Sequence, residues 1–424
     1  MRANELIRLL NEGGLSKYSS LYADLDQQRE RMIAAINAFV TNYGEDRDIE
    51  IFSVPGRSEI IGNHTDHNHG KVMAGAINRD IIAVVSKNDD NAIRFCSEGY
   101  SKDQIKLEDV SYPERFRKFT SKALVAGMAD AFLKAGHSIG GYDAYSCTEV
   151  LKGSGLSSSA AFEVMAGNIF NHLYNGGRVD NKEIAKYAQY SENVYFGKPC
   201  GLMDQMACAV GGFVYIDFEN NADPVVESVG FSLADAGYSL CIVNTGGSHA
   251  GLNEDYASVP GEMKSVATLL GHEVLRDISE EELLAAIPWL RKRSGDRAIL
   301  RALHFLREND RVERAKDALK SENLEEFFTI ILESGRSSFQ YLQNVYTNQN
   351  PFEQGISLAL CVADGALSGK DGAFRVHGGG FAGTIQAFVK NEQLPAFVEK
   401  MNAVFGEGAA MPLNIRPLGA VKLF

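Results

Sequence analysis

Between an apolar run of strand-forming residues (Ala144 to Leu151) and a run of good helix formers (Ala160 to Phe170) stands Gly153-Ser154-Gly155-Leu156-Ser157-Ser158-Ser159-Ala160. The local order is therefore strand, glycine-serine turn, helix. Gly153 and Gly155 let the backbone approach a ligand closely, and Ser157, Ser158 and Ser159 offer hydroxyls and N–H groups at a helix start, where the dipole is positive. Such a turn cradles an anion, with phosphate the obvious guest. The Lys-Ser/Thr ending of a Walker loop is missing, so the cradle is of another kind. A serine-rich cap over a flexible turn accounts for the same residues, and the loop alone does not decide between the two.

A chain of 424 residues exceeds one small core and points to two domains, with a boundary near Gly211-Gly212: 1–210 and 211–424. At 45% apolar and 23% charged residues it has the composition of a soluble globular protein. A formal charge of -13 argues against nucleic-acid and membrane-surface partners, but leaves room for a cleft in which a few cations and Mg²⁺ hold ATP. No apolar run approaches a membrane span, and Met1 to Ser16 is too polar for a signal peptide. The six cysteines are scattered, without CxxC pairs, as expected of free thiols in a reducing cytoplasm.

Taken in order, the chain predicts helices over Ala3 to Asn11 and Tyr22 to Tyr43. A strand, Ile49 to Val54, then ends at a Pro55-Gly56 break. The loop that follows concentrates Arg57, Glu59, Asn63, His64, Asp66, His67, Asn68 and His69 around an apolar Ile60-Ile61, and leads to a strand over Val72 to Val85, interrupted near Asn78. Packed polar groups need partners, and hydroxyl-rich ligands supply both donors and acceptors. His64, His67 and His69 also invite a metal reading, but His-x-x-His-x-His matches no standard zinc spacing. Helices are expected over Arg115 to Ala135 and over Asn181 to Phe196, the latter carrying Glu192. Glycines and Pro199 then present Asp204 at the head of an apolar helix, either as a cap or as a fixed carboxylate able to take a proton from an attacking hydroxyl. Strands follow at Phe213 to Phe218 and Ser239 to Asn244, long helices over 254–345, and a glycine cluster, Gly378-Gly379-Gly380-Phe381-Ala382-Gly383, before a strand from Ile385 to Val389.

Together these stretches resemble the three motifs of the GHMP small-molecule kinases. Pro55-Gly56-Arg57 through Gly70, with Pro199 to Gln205, resembles the galactokinase branch, from about Phe52 to the C-terminus. The resemblance implies a two-domain α+β fold with mixed sheets and the active site in the interdomain cleft. It implies transfer of the ATP γ-phosphoryl group to the anomeric hydroxyl of galactose, by a monomer or weak homo-oligomer. By family position, ATP would lie on Gly153, Ser154, Gly155, Leu156, Ser157, Ser158 and Ser159; Mg²⁺ on Ser159 and Glu192; the sugar on Asn63, His64, Asp66 and Tyr256. Asp204 would orient or deprotonate the hydroxyl, and Arg57 would keep Asp204 ionised and stabilise the phosphoryl in flight.

The chain also departs from the pattern. Asn63 replaces a glutamate that contacts the sugar 6-hydroxyl in the family, and His67 replaces a tyrosine. Loss of that charge opens the alternative of galacturonate or another C6-modified hexose. Tyr256 is followed by Ala257-Ser258-Val259-Pro260 instead of a basic pair, and Phe339 to Val345 replaces an acidic, Cys-Pro-containing stretch. A non-catalytic sensor of sugar and ATP is a further alternative, against which the intact serine loop, Arg57 and Asp204 speak.

Overall fold

The continuous apolar runs on either side of the polar loop form the spine of the molecule, β1 (Glu50–Ile61) and β2 (Lys71–Lys87). The computed structural model describes residues 1–150, 155–248, 251–367 and 372–424. β1 does not end at Pro55-Gly56. It continues to Ile61, paired antiparallel with β2 from Glu50↔Val85 to Ile61↔Met73, with register shifts between Pro55 and Arg57 and between Glu59 and Ile61. A proline without a ladder N–H is tolerated at such an irregularity, and the Arg57 N–H finds the Leu156 carbonyl at 3.1 Å instead. Arg57 and Glu59 thus project from a strand, not from the expected loop. β2 is likewise unbroken at Asn78 and changes neighbours there. Lys71 to Gly75 pair with β6 (Phe213–Asp217), and Ile81 to Lys87 with β5 (Tyr142–Thr148). Asn78 is held across that change by two hydrogen bonds to the Asn414 backbone.

The large sheet is completed by β3 (Ala92–Ser97), parallel to β5, by β4 (Asp103–Lys106) and β7 (Val225–Val229) at its ends, and by β12 (Val421–Lys422) beside β1. A second sheet has the order β11 (Ala410–Leu413), β8 (Tyr238–Asn244), β10 (Thr384–Lys390), β9 (Gly372–Val376), all antiparallel.

Alternation along the strands separates two faces. Ile51, Ile82 and Val84 face α1 (Ala3–Asn11) and α2 (Leu25–Tyr43), against Leu6, Leu10, Met32, Ile36 and Phe39. Phe52, Val54, Ile81, Ala83 and Val85 face the other way. There they join the main core with α3 (Ser121–Lys134), α4 (Ser158–Asn175), α5 (Asn181–Tyr190) and α6 (Met203–Val210). α3 starts six residues later than the sequence suggests, at a Thr120 cap, behind a short turn at Pro113–Arg115. The expected helix to Phe196 is α5 continued by a π turn, Ser191–Phe196. In the C-terminal half, α7 (Asn253–Leu269), α8 (Glu280–Leu290) and α9 (Asp296–Lys320) form their own cluster. α10 (Leu324–Ser337) joins the main core, and α11 (Gly355–Leu367) and α12 (Leu394–Phe405) cover the second sheet. Among the described residues no helix is long and apolar enough to cross a membrane.

Candidate active site

The bulge in β1 turns Arg57 toward the first turn of α6, where Asp204 stands. Arg57 Nε donates to Asp204 Oδ1 at 2.7 Å, and its Nη1 donates to the Gly155 carbonyl. Ser157 donates its hydroxyl to Asp204 Oδ2. Burial pushes the Asp204 carboxyl up, but the Arg57 charge and the hydrogen bonds from Arg57 and Ser157 outweigh it, so the carboxyl is held below its ordinary range. The guanidinium is only 11% exposed, whereas the carboxylate is 35% exposed and open to a ligand. A fixed, ionised carboxylate at an open surface can accept a proton from a bound hydroxyl.

The serine turn meets this pair directly. Gly155 (φ +74°) and Ser157 (φ +58°) both take the left-handed conformation before α4 begins at Ser158. Leu156 is fully buried in the core and contributes its carbonyl to Arg57, not a side chain to a ligand. Gly153 and Ser154 lie outside the described residues. Ser158 and Ser159 border a cavity of about 860 Å³ walled by Phe95, Tyr100, Phe116, Phe119, Phe162 and Phe196, with Arg115, Arg117 and Lys122 at its edge. Reading the sequence alone missed these aromatic residues, since they are dispersed over 100 positions and share no motif.

Beneath the serines, Glu163 lies one helical turn beyond Ser159 on α4. Gln205 Nε2 donates to Glu192 Oε2 at 2.8 Å and to Glu163 Oε2 at 3.3 Å. Both carboxylates are almost fully buried, and one oxygen of each accepts no hydrogen bond. Burial and the charge of Glu192 hold the Glu163 carboxyl well above its ordinary range. Lys198 Nζ, 3.5 Å from Glu192 Oε1, is the nearby cation. Buried carboxylate oxygens that accept no hydrogen bond, that of Glu163 one helical turn from Ser159, suit a hydrated divalent cation that keeps most of its ligands from a phosphate. Among the described residues no group of three or more His, Cys, Asp or Glu could hold a metal by itself, which leaves the histidine loop without support as a metal site.

The remaining expected residues divide. Asp66 lies against Gly201, where an added Cβ would come within 2.9 Å of its Oδ2, and so faces the Asp204 segment. His64 Nε2 meets the Gly379 carbonyl at 2.9 Å, and the Tyr256 hydroxyl donates to the Gly380 carbonyl at 2.8 Å. Burial pushes the Tyr256 hydroxyl up to about 12, so it stays a donor. Asn63, by contrast, is fully buried. Its amide nitrogen donates to the Gly378 carbonyl at 2.6 Å and to Glu59 at 3.2 Å, and its oxygen accepts from Asn344 at 2.7 Å. It ties the loop to the glycine turn and has no free group for a sugar. His67 is exposed on the loop. His377 was not singled out by the sequence, yet its ring bridges Ser58 (3.1 Å) and Thr384 (2.9 Å), and Cε1 sits 3.3 Å from a Cβ built on Gly155. Burial, Arg57 and Arg375 hold it down to about 3, so it is neutral.

A serine turn opening α4, an Arg-Asp pair on it and a glycine turn from the second sheet define a GHMP small-molecule kinase, and a family profile described as "GHMP kinases N terminal domain" matches residues 123–212. A second profile, "Galactokinase galactose-binding signature", matches residues 37–87. The galactokinase of Streptomyces coelicolor is 32% identical over 361 residues, 84% of this chain and 88% of that protein; the galactokinase of Clostridium tetani is 32% identical over 371 residues, 86% and 90%. This chain belongs to the galactokinase family, a family of ATP-dependent sugar kinases. Its fold is similar to that of Lactococcus lactis galactokinase complexed with galactose (TM-score 0.75, 24% identity, 91% of this chain and 98% of that one) and to a mevalonate kinase (TM-score 0.60, 13% identity, 86% and 98%).

Proposed function

We propose that the protein transfers the γ-phosphoryl group of ATP to the anomeric hydroxyl of galactose. The 2.7 Å contact between Arg57 and Asp204, set against Gly155 and Ser157, carries the reading. Asp204 takes the proton of the attacking hydroxyl, whose oxygen forms the new bond to phosphorus as the bond to the ADP oxygen breaks. Arg57 keeps Asp204 ionised and faces the charge that develops in transfer. His64, Asp66 and Tyr256 read the sugar hydroxyls, while Asn63 holds the loop that carries His64. The base lies in the aromatic cavity, with the phosphates on Ser157 to Ser159. Ser159 and Glu192 would hold Mg²⁺, which would supply charge neutralisation for the phosphates.

The same reading divides the chain at 1–210 and 211–424, since Arg57, Gly155 and Asp204 come from one part and Tyr256 and the glycine turn from the other. Free cysteines at all six positions fit a reducing cytoplasm. The inward orientation of Asn63 removes the observation that favoured a C6-carboxylated sugar, and the intact Arg57–Asp204 pair disfavours a sensor. ADP release with MgATP and, separately, galactose, galacturonate or no sugar tests the reading. Galactose-dependent release with a 1-phosphate product is expected; release with galacturonate alone, or with neither sugar, refutes it.

A further inference from the structure

α9 belongs to the C-terminal half of the chain, yet its buried polar residues end on the backbone of the loop that presents His64 and Asp66. We infer that His304 and Glu308 are positioning residues for the sugar, anchoring that loop from behind so that His64 and Asp66 stand in the cleft. The inference rests on the reading of His64 and Asp66 as sugar ligands.

His304 and Glu308 are four residues apart, hence on one face of the helix, and both are fully buried. His304 Nε2 meets the Asn63 carbonyl at 2.9 Å, and Nδ1 meets the Ser337 hydroxyl at 2.9 Å. A carbonyl only accepts, so Nε2 carries the proton and Nδ1 accepts from Ser337. Burial holds the imidazole down to about 4, which keeps this tautomer neutral. Glu308 Oε1 accepts from the Gly62 N–H at 3.2 Å, the Asn63 N–H at 3.5 Å and the Ser334 hydroxyl at 2.5 Å, while Oε2 accepts from Arg311 at 2.7 Å. At the far end of the loop, Asn309 Oδ1 accepts from the Lys71 N–H at 2.8 Å.

Both ends of the loop are thus secured by one helix. What lies between needs securing, because His64 (φ +58°) and His69 (φ +60°) hold a left-handed backbone that a side chain disfavours and that persists only where the surroundings impose it. Buried groups aimed at main chain beside the ligand-reading residues control where those residues stand, and small misplacements weaken binding steeply.

The test compares His304→Phe, which keeps a ring but loses the donor, His304→Gln, which restores an N–H, and Asn309→Ala at a half-buried site. KM for galactose, KM for ATP and thermal midpoint are measured for each, with His64→Ala alongside. His304→Phe should raise the galactose KM roughly tenfold with the ATP KM unchanged within about twofold, and His304→Gln should recover most of the loss. If His304→Phe does not fold, Asn309→Ala still decides, with a rise of roughly threefold confined to the sugar. Equal rises in both KM values, or an unchanged galactose KM in folded variants, overturn the inference. Should His64→Ala leave the galactose KM unchanged, the sugar reading itself fails; a change there without one in the α9 variants sinks the positioning role alone.

Discussion

The proposed chemistry turns on a single pair, Arg57 and Asp204. The carboxylate keeps its charge because Arg57 and Ser157 donate to it, and removing that charge while keeping the shape isolates its role. Asp204→Asn should lower kcat by about 10²–10⁴-fold and leave ATP binding nearly intact, as isothermal titration with ATP would show; retained turnover removes Asp204 as the base. Asn63→Glu has a different expected outcome from the one its sequence position suggests. A carboxylate there would face Glu59 and the Gly378 carbonyl, where the nearby guanidinium, Arg375, is already paired with Glu59 at 3.1 Å, costing about 3 kcal/mol or more of stability. Urea unfolding should show that loss without a gain in galactose preference; a stable variant with improved galactose kcat/KM would contradict it. That Arg57, Ser157 and Asp204 share one site was legible in the sequence, because their types stand in recognisable spacing, and the fold does bring the three together. Asn63 was misread because its burial depends on Asn344 and Gly378, some 280 and 315 positions away, which no local pattern reveals.

At the scale of elements, the π turn at Ser191–Phe196 delivers Glu192 to Gln205. It is seated by Ser191, which donates to the Leu124 carbonyl at 2.7 Å, and by Gly127, whose missing side chain makes room for it. A Cβ at Gly127 would lie 2.5 Å from the Ser191 hydroxyl and 2.9 Å from its Cα. Gly127→Ala should therefore push the turn outward, destabilise the protein by about 1–3 kcal/mol, and raise the free Mg²⁺ needed for half-maximal rate by roughly threefold or more. Initial rates against free Mg²⁺ at fixed ATP check this, and an unchanged Mg²⁺ dependence would separate the turn from metal binding. The helix over 181–196 was readable from its apolar spacing, but its widening into a π turn was not, since that follows from contact with α3. Likewise Pro55-Gly56 reads as a break until the second strand pairs on both sides of it and the Leu156 carbonyl accepts from the Arg57 N–H.

Across the whole molecule, the two halves are joined by buried histidines as well as by apolar surface. His304 links α9 to the Asn63 backbone, and His377 links Ser58 on β1 to Thr384 on β10. Both are held well below their ordinary value of 6.5, to about 4 and about 3, chiefly by burial. A histidine with a depressed folded pKa resists protonation that the unfolded chain accepts, so it disfavours folding progressively as pH falls below 6.5. Between pH 7 and pH 5 each should remove about 2 kcal/mol of stability. Glu308 adds a second window, because its carboxyl is held down to about 2 in the fold; its contribution is present above 4.5 and is lost as pH falls from there toward 2. Denaturant midpoints measured from pH 7 to pH 3 should decline in these two overlapping steps. The first should shrink by about 2 kcal/mol in a folded His304→Gln variant. A midpoint flat from pH 7 to pH 5 would mean that neither histidine is protonated on unfolding in that range, and the pH dependence of the joint between the halves would then have to come from Glu308.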